Sequence, residues 1–158
     1  MNDGTIRRAT AADAPEVLRL RQVMIDSMEQ ADRTTDWHAA SLPVLRKQLA
    51  HPEPSFAAFV ADHPESPDRL CSLACGSLEY RIGGPANPEG RHGYVFSVAT
   101  DPDQRRRGLA RATMEALLQW FREHGATTID LGASPEAEPL YVSLGFRRRP
   151  DPVLRLRL

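Results

Sequence analysis

With 158 residues, 41% apolar side chains and 26% charged ones, the chain has the size and composition of one folded domain. Twenty basic residues nearly balance 21 acidic ones, which argues against a surface built to coat nucleic acid or anionic membrane. No apolar run approaches the ~18 residues of a membrane-spanning helix. MNDGTIRR lacks the apolar segment of a secretory signal, so a cytoplasmic protein is expected.

Thr5–Thr10 reads as a short strand. Asp13-Ala14-Pro15-Glu16 reads as a helix start with Asp13 as cap and Glu16 as its partner, and Thr10 with Asp13 is a competing start. Val17, Leu20, Met24 and Met28 follow at helical spacing. After a polar turn over Ala31–Asp36, a second helix runs from Trp37 to about Leu49, with Leu42, Leu45 and Leu49 on one face. Pro43 divides it into two pieces, the second capped by Ser41. His51-Pro52-Glu53-Pro54 breaks the chain. Ser55–Ala61 reads as a buried strand, Asp62–Arg69 as a hairpin connection and Leu70–Ile82 as a long strand. Gly83–Arg91 is the most loop-like stretch, and Gly93–Thr100 is another strand. Leu109, Ala112, Thr113, Ala116, Leu117 and Trp120 give the strongest helical pattern, and Gly125 is placed to end it. Thr127–Leu131 reads as a strand and Pro135–Leu144 as a short helix stopped by Gly145. Phe146–Arg149 and Val153–Leu158 read as closing strands, the last alternating Leu with Arg. The order β-α-α-β-β-β-α-β-α-β-β predicts an α/β (α+β) mixed sheet with helices on both faces.

The chemistry concentrates where the strand ending near Thr100 turns through Pro102 into the long helix. The first turn of a helix leaves four N–H groups unpaired and carries roughly half a positive charge. Such an end, reached through Arg105, Arg106 and Arg107, suits an anion. Gly108 and Ala110 let a diphosphate approach the backbone closely. Neither a G-x-x-x-x-G-K-[ST] loop nor a G-x-G-x-x-G loop is present. Cys71 and Cys75, if on one strand, lie ~13 Å apart. That is too far for a disulfide, and they read as reduced core thiols without metal-ligand spacing.

Arg105-Arg106-Arg107-Gly108-Leu109-Ala110 resembles the R/Q-x-x-G-x-G/A signature of the GCN5-related N-acetyltransferase (GNAT) superfamily. Downstream, Ala137, Leu140, Tyr141, Gly145 and Phe146 fit the family's N-x-x-A-x-x-L-Y-x-x-x-G-F helix, with Ser134 in place of Asn. The resemblance covers essentially the whole chain as one domain. It implies acetyl-CoA as cosubstrate and no metal. The strand backbone of Val98, Ala99 and Thr100 would pair with the pantetheine arm. Backbone amides from Arg106 through Arg111, including Leu109, would hold the pyrophosphate, and Ser134 would contact the cofactor arm. A bulge would open a slot between Ser97–Thr100 and Asp130–Ala133, with a backbone N–H near Val98 meeting the oxyanion. Tyr141 would protonate the departing thiolate. The general base stays open between Glu79, Asp130, His38, Glu29 and water, because the position where some members carry Glu falls near Tyr94. That substitution is also the one feature favouring a non-catalytic CoA-binding module. The acceptor is expected to be a small-molecule or peptide amine, with no nucleic-acid or membrane partner. A homodimer is compatible with the family.

Overall fold

The computed structural model describes residues 4–51 and 55–158. The chain break expected at Pro52-Glu53-Pro54 lies outside the described residues. Strands β1 (Ile6–Arg8), β2 (Phe56–His63), β3 (Ser66–Tyr80), β4 (Arg91–Thr100) and β5 (Thr128–Leu131) form one sheet in sequential order. Pairing is antiparallel from β1 to β4 and parallel between β4 and β5. The helices are α1 (Ala14–Asp26), α2 (His38–Ala50), α3 (Leu109–Glu123) and α4 (Glu138–Ser143).

Alternation along β3 sends side chains to two separate cores. Leu73 and Cys75 join Val17, Leu20 and Leu45 under α1 and α2. Ala74 and Leu78 join Met114, Leu117 and Phe121 under α3 on the opposite face, with Tyr141 of α4. The Phe121 ring sits on a floor of two strand glycines. A Cβ on Gly76 would come within 2.6 Å of the ring, and one on Gly93 within 2.8 Å. Small residues at these points let α3 lie close to the sheet.

Several sequence expectations need correction. The competing start opens the first helical segment: the Asp13 carboxylate accepts from the Thr10 N–H at 2.7 Å, closing a 3-10 turn over Ala11–Asp13. Glu16 is not its capping partner. It instead pairs with Arg19 and accepts the Leu70 N–H. Helix α2 is continuous through Pro43, because Leu42, Leu45 and Leu49 anchor its length on the core and outweigh one missing hydrogen bond. The β2–β3 connection is tighter than expected, since both strands extend into Asp62–Arg69. Phe146–Arg149 and Val153–Leu158 form no strands. Pro150 and Pro152 supply no ladder donors between them, and Val153–Leu158 lies fully exposed. Gly125, as expected, follows α3 with φ 79°, one residue past the cap at His124. Among the described residues, no helix is long and apolar enough to cross a membrane.

Candidate active site

Strand β4 parts from β5 halfway along its length while staying paired with β3. On the β3 side Cys75 faces Ser97 and Gly76 faces Val95, so Phe96 is an unopposed bulge. On the other side, pairing to β5 ends at Val95 opposite Leu131. Residues 96–100 therefore present a free backbone edge toward the diverging β5. The far end of β4 is pinned. Asp101 is buried, accepts both terminal nitrogens of Arg19 at 2.7 and 3.0 Å, and accepts Arg69 at 3.2 Å. Ser97 is buried on the α1 side and accepts a hydrogen bond from Arg21.

A 3-10 turn at Pro102–Gln104 leads into the basic loop. Arg106 has φ 65° and Gly108 φ 78°, so two left-handed residues separated by Arg107 bend the chain before α3 begins. Alternating backbone hands of this kind turn successive N–H groups toward one concavity. Gly108 is the helix cap, and nothing lies within 4 Å of where its Cβ would be. Arg105 donates through Nε to the Thr100 carbonyl at 3.2 Å. The Arg106 and Arg107 side chains are exposed and form no ion pair among the described residues. Unneutralised cations beside a helix N-terminus leave a positive site open to an anion.

These parts meet in a cleft of about 1160 Å³. It is lined by Val98, Ala99, Thr100, Arg105, Arg106, Gly108, Leu109, Ala110, Arg111, Ser134 and Tyr141, all singled out from the sequence. Arg107 was singled out with them but is not part of the lining. Residues the sequence did not flag include Phe96 and Gln104, whereas Gly132 falls in the expected slot over Asp130–Ala133 and Glu29 is one of the base candidates. The Ser134 hydroxyl accepts the Ala137 N–H at 3.3 Å, which fixes the turn ahead of α4.

Tyr141 is buried on α4, its ring edge-on to Phe146 at 6.0 Å. Burial raises its phenol above the ordinary value, so it stays protonated in neutral solution. Among the described residues nothing hydrogen-bonds its hydroxyl. Tyr141, Leu131 and Gly132 also line a second cleft of about 980 Å³ along the outer edge of β5. Tyr141 thus stands where the two clefts meet.

The base candidates are dispersed. Glu29 lines the first cleft. Asp130 lines the second and is paired with His92 at 2.9 Å and Arg149 at 3.1 Å. Glu79 pairs with Arg81 at 3.0 Å, and His38 bonds Gln22 under Trp37. Cys71 and Cys75 are free and buried, and burial pushes their thiols up to about 11 and about 12, which disfavours a nucleophilic thiolate.

The sequence matches the Acetyltransferase (GNAT) family over residues 22–146. The chain belongs to this family. A ribosomal protein bS18-alanine N-acetyltransferase from Escherichia coli is 40% identical over 55 residues, which span 33% of this chain and 37% of that relative. A GCN5-related N-acetyltransferase from Ralstonia eutropha superposes with a TM-score of 0.81 at 21% identity, covering 97% of this chain and 98% of the other. A predicted acetyltransferase from Clostridium acetobutylicum, solved with acetyl-CoA, gives 0.79 at 22% identity, covering 98% and 96%. At such identities the likeness concerns the GNAT fold.

Proposed function

We propose that this GNAT chain transfers acetyl from acetyl-CoA directly to a primary amine. The observation that carries this is the convergence of the free edge of β4, the Arg105–Arg111 loop and Tyr141 on a single cleft. The amides of Arg106–Arg111 would take the pyrophosphate, with the guanidinium groups adding charge-assisted bonds. Val98, Ala99 and Thr100 would pair with the pantetheine arm as an added strand. That pairing carries the thioester toward Tyr141.

The amine adds to the thioester carbonyl, giving a tetrahedral oxyanion that a backbone N–H near Val98 would meet. Its collapse expels the CoA thiolate, to which Tyr141 gives its proton. Before attack the ammonium must lose a proton, its pKa lying near ~10.4. Glu29 is the candidate base lining the same cleft and is free of an ion pair among the described residues, so we assign it that proton, directly or through water. Asp32 and Asp36 on the same α1–α2 connection favour a cationic acceptor.

The test is thiol release from acetyl-CoA over a panel of N-terminal peptides, polyamines, aminoglycosides and small amines. Saturable release with one class, with the acetylated amine found by mass spectrometry, is expected. Tight acetyl-CoA binding without release on any amine would instead make the chain a CoA-binding module.

A further inference from the structure

Helix α1 grips β4 at two points, and the two differ in charge. At the far end Arg19 meets Asp101, whose carboxylate neutralises it. Nearer the bulge Arg21 meets Ser97, which cannot. Of the half-buried arginines among the described residues, Arg7, Arg19, Arg91 and Arg111 each pair with a carboxylate. Arg21 pairs with none there, and its guanidinium makes one hydrogen bond, to the Ser97 hydroxyl oxygen. Withdrawing a cation from water without a counter-ion costs free energy. Arg19 already ties α1 to β4, so holding the two together does not account for that cost. Beside a reaction cleft, an uncompensated cation is matched to negative charge that arises during turnover.

The surroundings of Ser97 say where that charge arises. Ser97 follows the Phe96 bulge and precedes Val98, the residue whose N–H is assigned to the oxyanion. It is 2% exposed yet borders the cleft, together with Val23 and Met24 of α1. Its oxygen accepts from Arg21, so its own proton must be given elsewhere, and among the described residues nothing accepts it. A hydroxyl with a cation behind it and an unclaimed proton is a donor suited to an anion. Burial strengthens such a chain of bonds, because Arg21 polarises the Ser97 O–H. The Arg21 charge is felt at this point of the sheet. Burial pushes the thiol of Cys75, opposite Ser97 on β3, up to about 12, and Arg21 opposes that rise.

Resting on the direct-transfer reading above, we propose that the Ser97 hydroxyl is a second donor to the tetrahedral oxyanion, beside the Val98 N–H. Arg21 acts through it as a positioning residue that fixes the hydroxyl and polarises it. Ser97 gives up no proton. As the amine bonds to the carbonyl carbon, the carbonyl electron pair moves to oxygen and both donors hold it. The bonds slacken when the pair returns, the carbonyl re-forms and the C–S bond breaks.

Two measurements test this, one of them without turnover. Infrared difference spectra of bound acetyl-CoA, ¹³C-labelled at the carbonyl, report hydrogen bonding to that oxygen. The band should move to higher frequency in Ser97→Ala and in Arg21→Met, and return most of the way in Arg21→Lys, which keeps the cation. In steady-state kinetics Ser97→Ala should lower kcat by about 10–100-fold, less than the loss of a sole oxyanion donor because Val98 remains. The calorimetric Kd for acetyl-CoA should stay within about twofold, and circular dichroism should match wild type. Adding Arg21→Met to Ser97→Ala should cost nothing further, since its effect runs through the hydroxyl. An unmoved band with unchanged kcat in Ser97→Ala would overturn the proposal. So would independent, additive losses from the two substitutions. Weaker acetyl-CoA binding and a lower Tm with kcat and band unchanged would make the pair a strut between α1 and β4, and overturn it too. A wild-type chain whose band responds to these substitutions, yet which releases no thiol with any amine, would support the donor pair and sink direct transfer instead.

Discussion

Tyr141→Phe removes one hydroxyl and leaves the ring in place. The ring is 6% exposed and packs on Phe146, so its burial is retained. Its hydroxyl has no partner among the described residues, so the substitution orphans no buried group. Stability should change by less than about 0.5 kcal/mol, about 2 °C or less in Tm for a chain of this length. Affinity for acetyl-CoA should stay within about twofold, since the pyrophosphate cradle is untouched. Turnover should fall. General acid catalysis contributes roughly 10²–10⁴-fold, and a thiol of pKa ~8.5 is already a fair leaving group, so the low end applies. A loss of about 100-fold in kcat corresponds to about 2.7 kcal/mol of barrier. Burial holds the Tyr141 phenol above its ordinary value. The acid should therefore remain protonated up to about pH 10, and wild-type kcat should decline only above that. The variant should lose this alkaline decline. Thiol release followed across pH, with calorimetric binding and thermal unfolding, separates the effects. Unchanged kcat, or a loss matched by weaker acetyl-CoA binding, would refute the assignment of Tyr141 as the acid.

Gly108→Ala and Gly145→Ala place a Cβ at φ 78° and φ 99°, both with open space around it. Each should cost about 1–2 kcal/mol of stability, but only the first, which borders the cradle, should weaken acetyl-CoA binding, by about tenfold or more in calorimetry. Glu29→Gln should lower kcat/KM for the amine at neutral pH and leave the acetyl-CoA Kd unchanged, as steady-state kinetics can show. Arg7 bridges Asp13 at 2.8 Å and Asp62 at 2.9 Å, and its bond to Asp13 holds that carboxyl below the usual range. This stabilisation is present above the unfolded pKa near ~3.9 and is lost as pH falls through the lower folded value. Arg7→Ala should cost about 1 kcal/mol at pH 7, discounted for partial exposure, and the gap to wild type should narrow below about pH 4 in acid titrations of unfolding. Gly93→Ala should cost about 1–3 kcal/mol by driving a methyl into Phe121, with acetyl-CoA affinity preserved.

The parts of the site built from backbone geometry were the most legible. Gly108, without a Cβ, behind three arginines at a strand-to-helix turn marked the anion site in the sequence, although the positive φ of Arg106 and Gly108 that shapes it was not legible there. Tyr141 was fixed by its spacing to Ala137 and Gly145. Glu29 was legible as a candidate base, whereas Met24 and Met28 beside it in the cleft wall read as a helical face, because methionines at helical spacing look like any core face. Phe96 gave no sign of a bulge, since it is one apolar residue in an apolar strand, and its role depends on the unequal register of β3 and β4. Pro43 misled because local propensity counts one lost hydrogen bond and not the three leucines that hold α2 to the core. Val153–Leu158 has strand periodicity without a strand, because periodicity reports what a segment can bury and not whether a surface is in reach.

The account rests on the diphosphate cradle at the start of α3 and the free edge of β4 beside it. Titrating the ¹⁵N-labelled full chain with CoA tests both at once. The largest amide shifts should fall on Val98–Thr100 and Arg106–Arg111 and saturate together. Saturating CoA with those resonances unmoved, or shifts confined to another face, would contradict it.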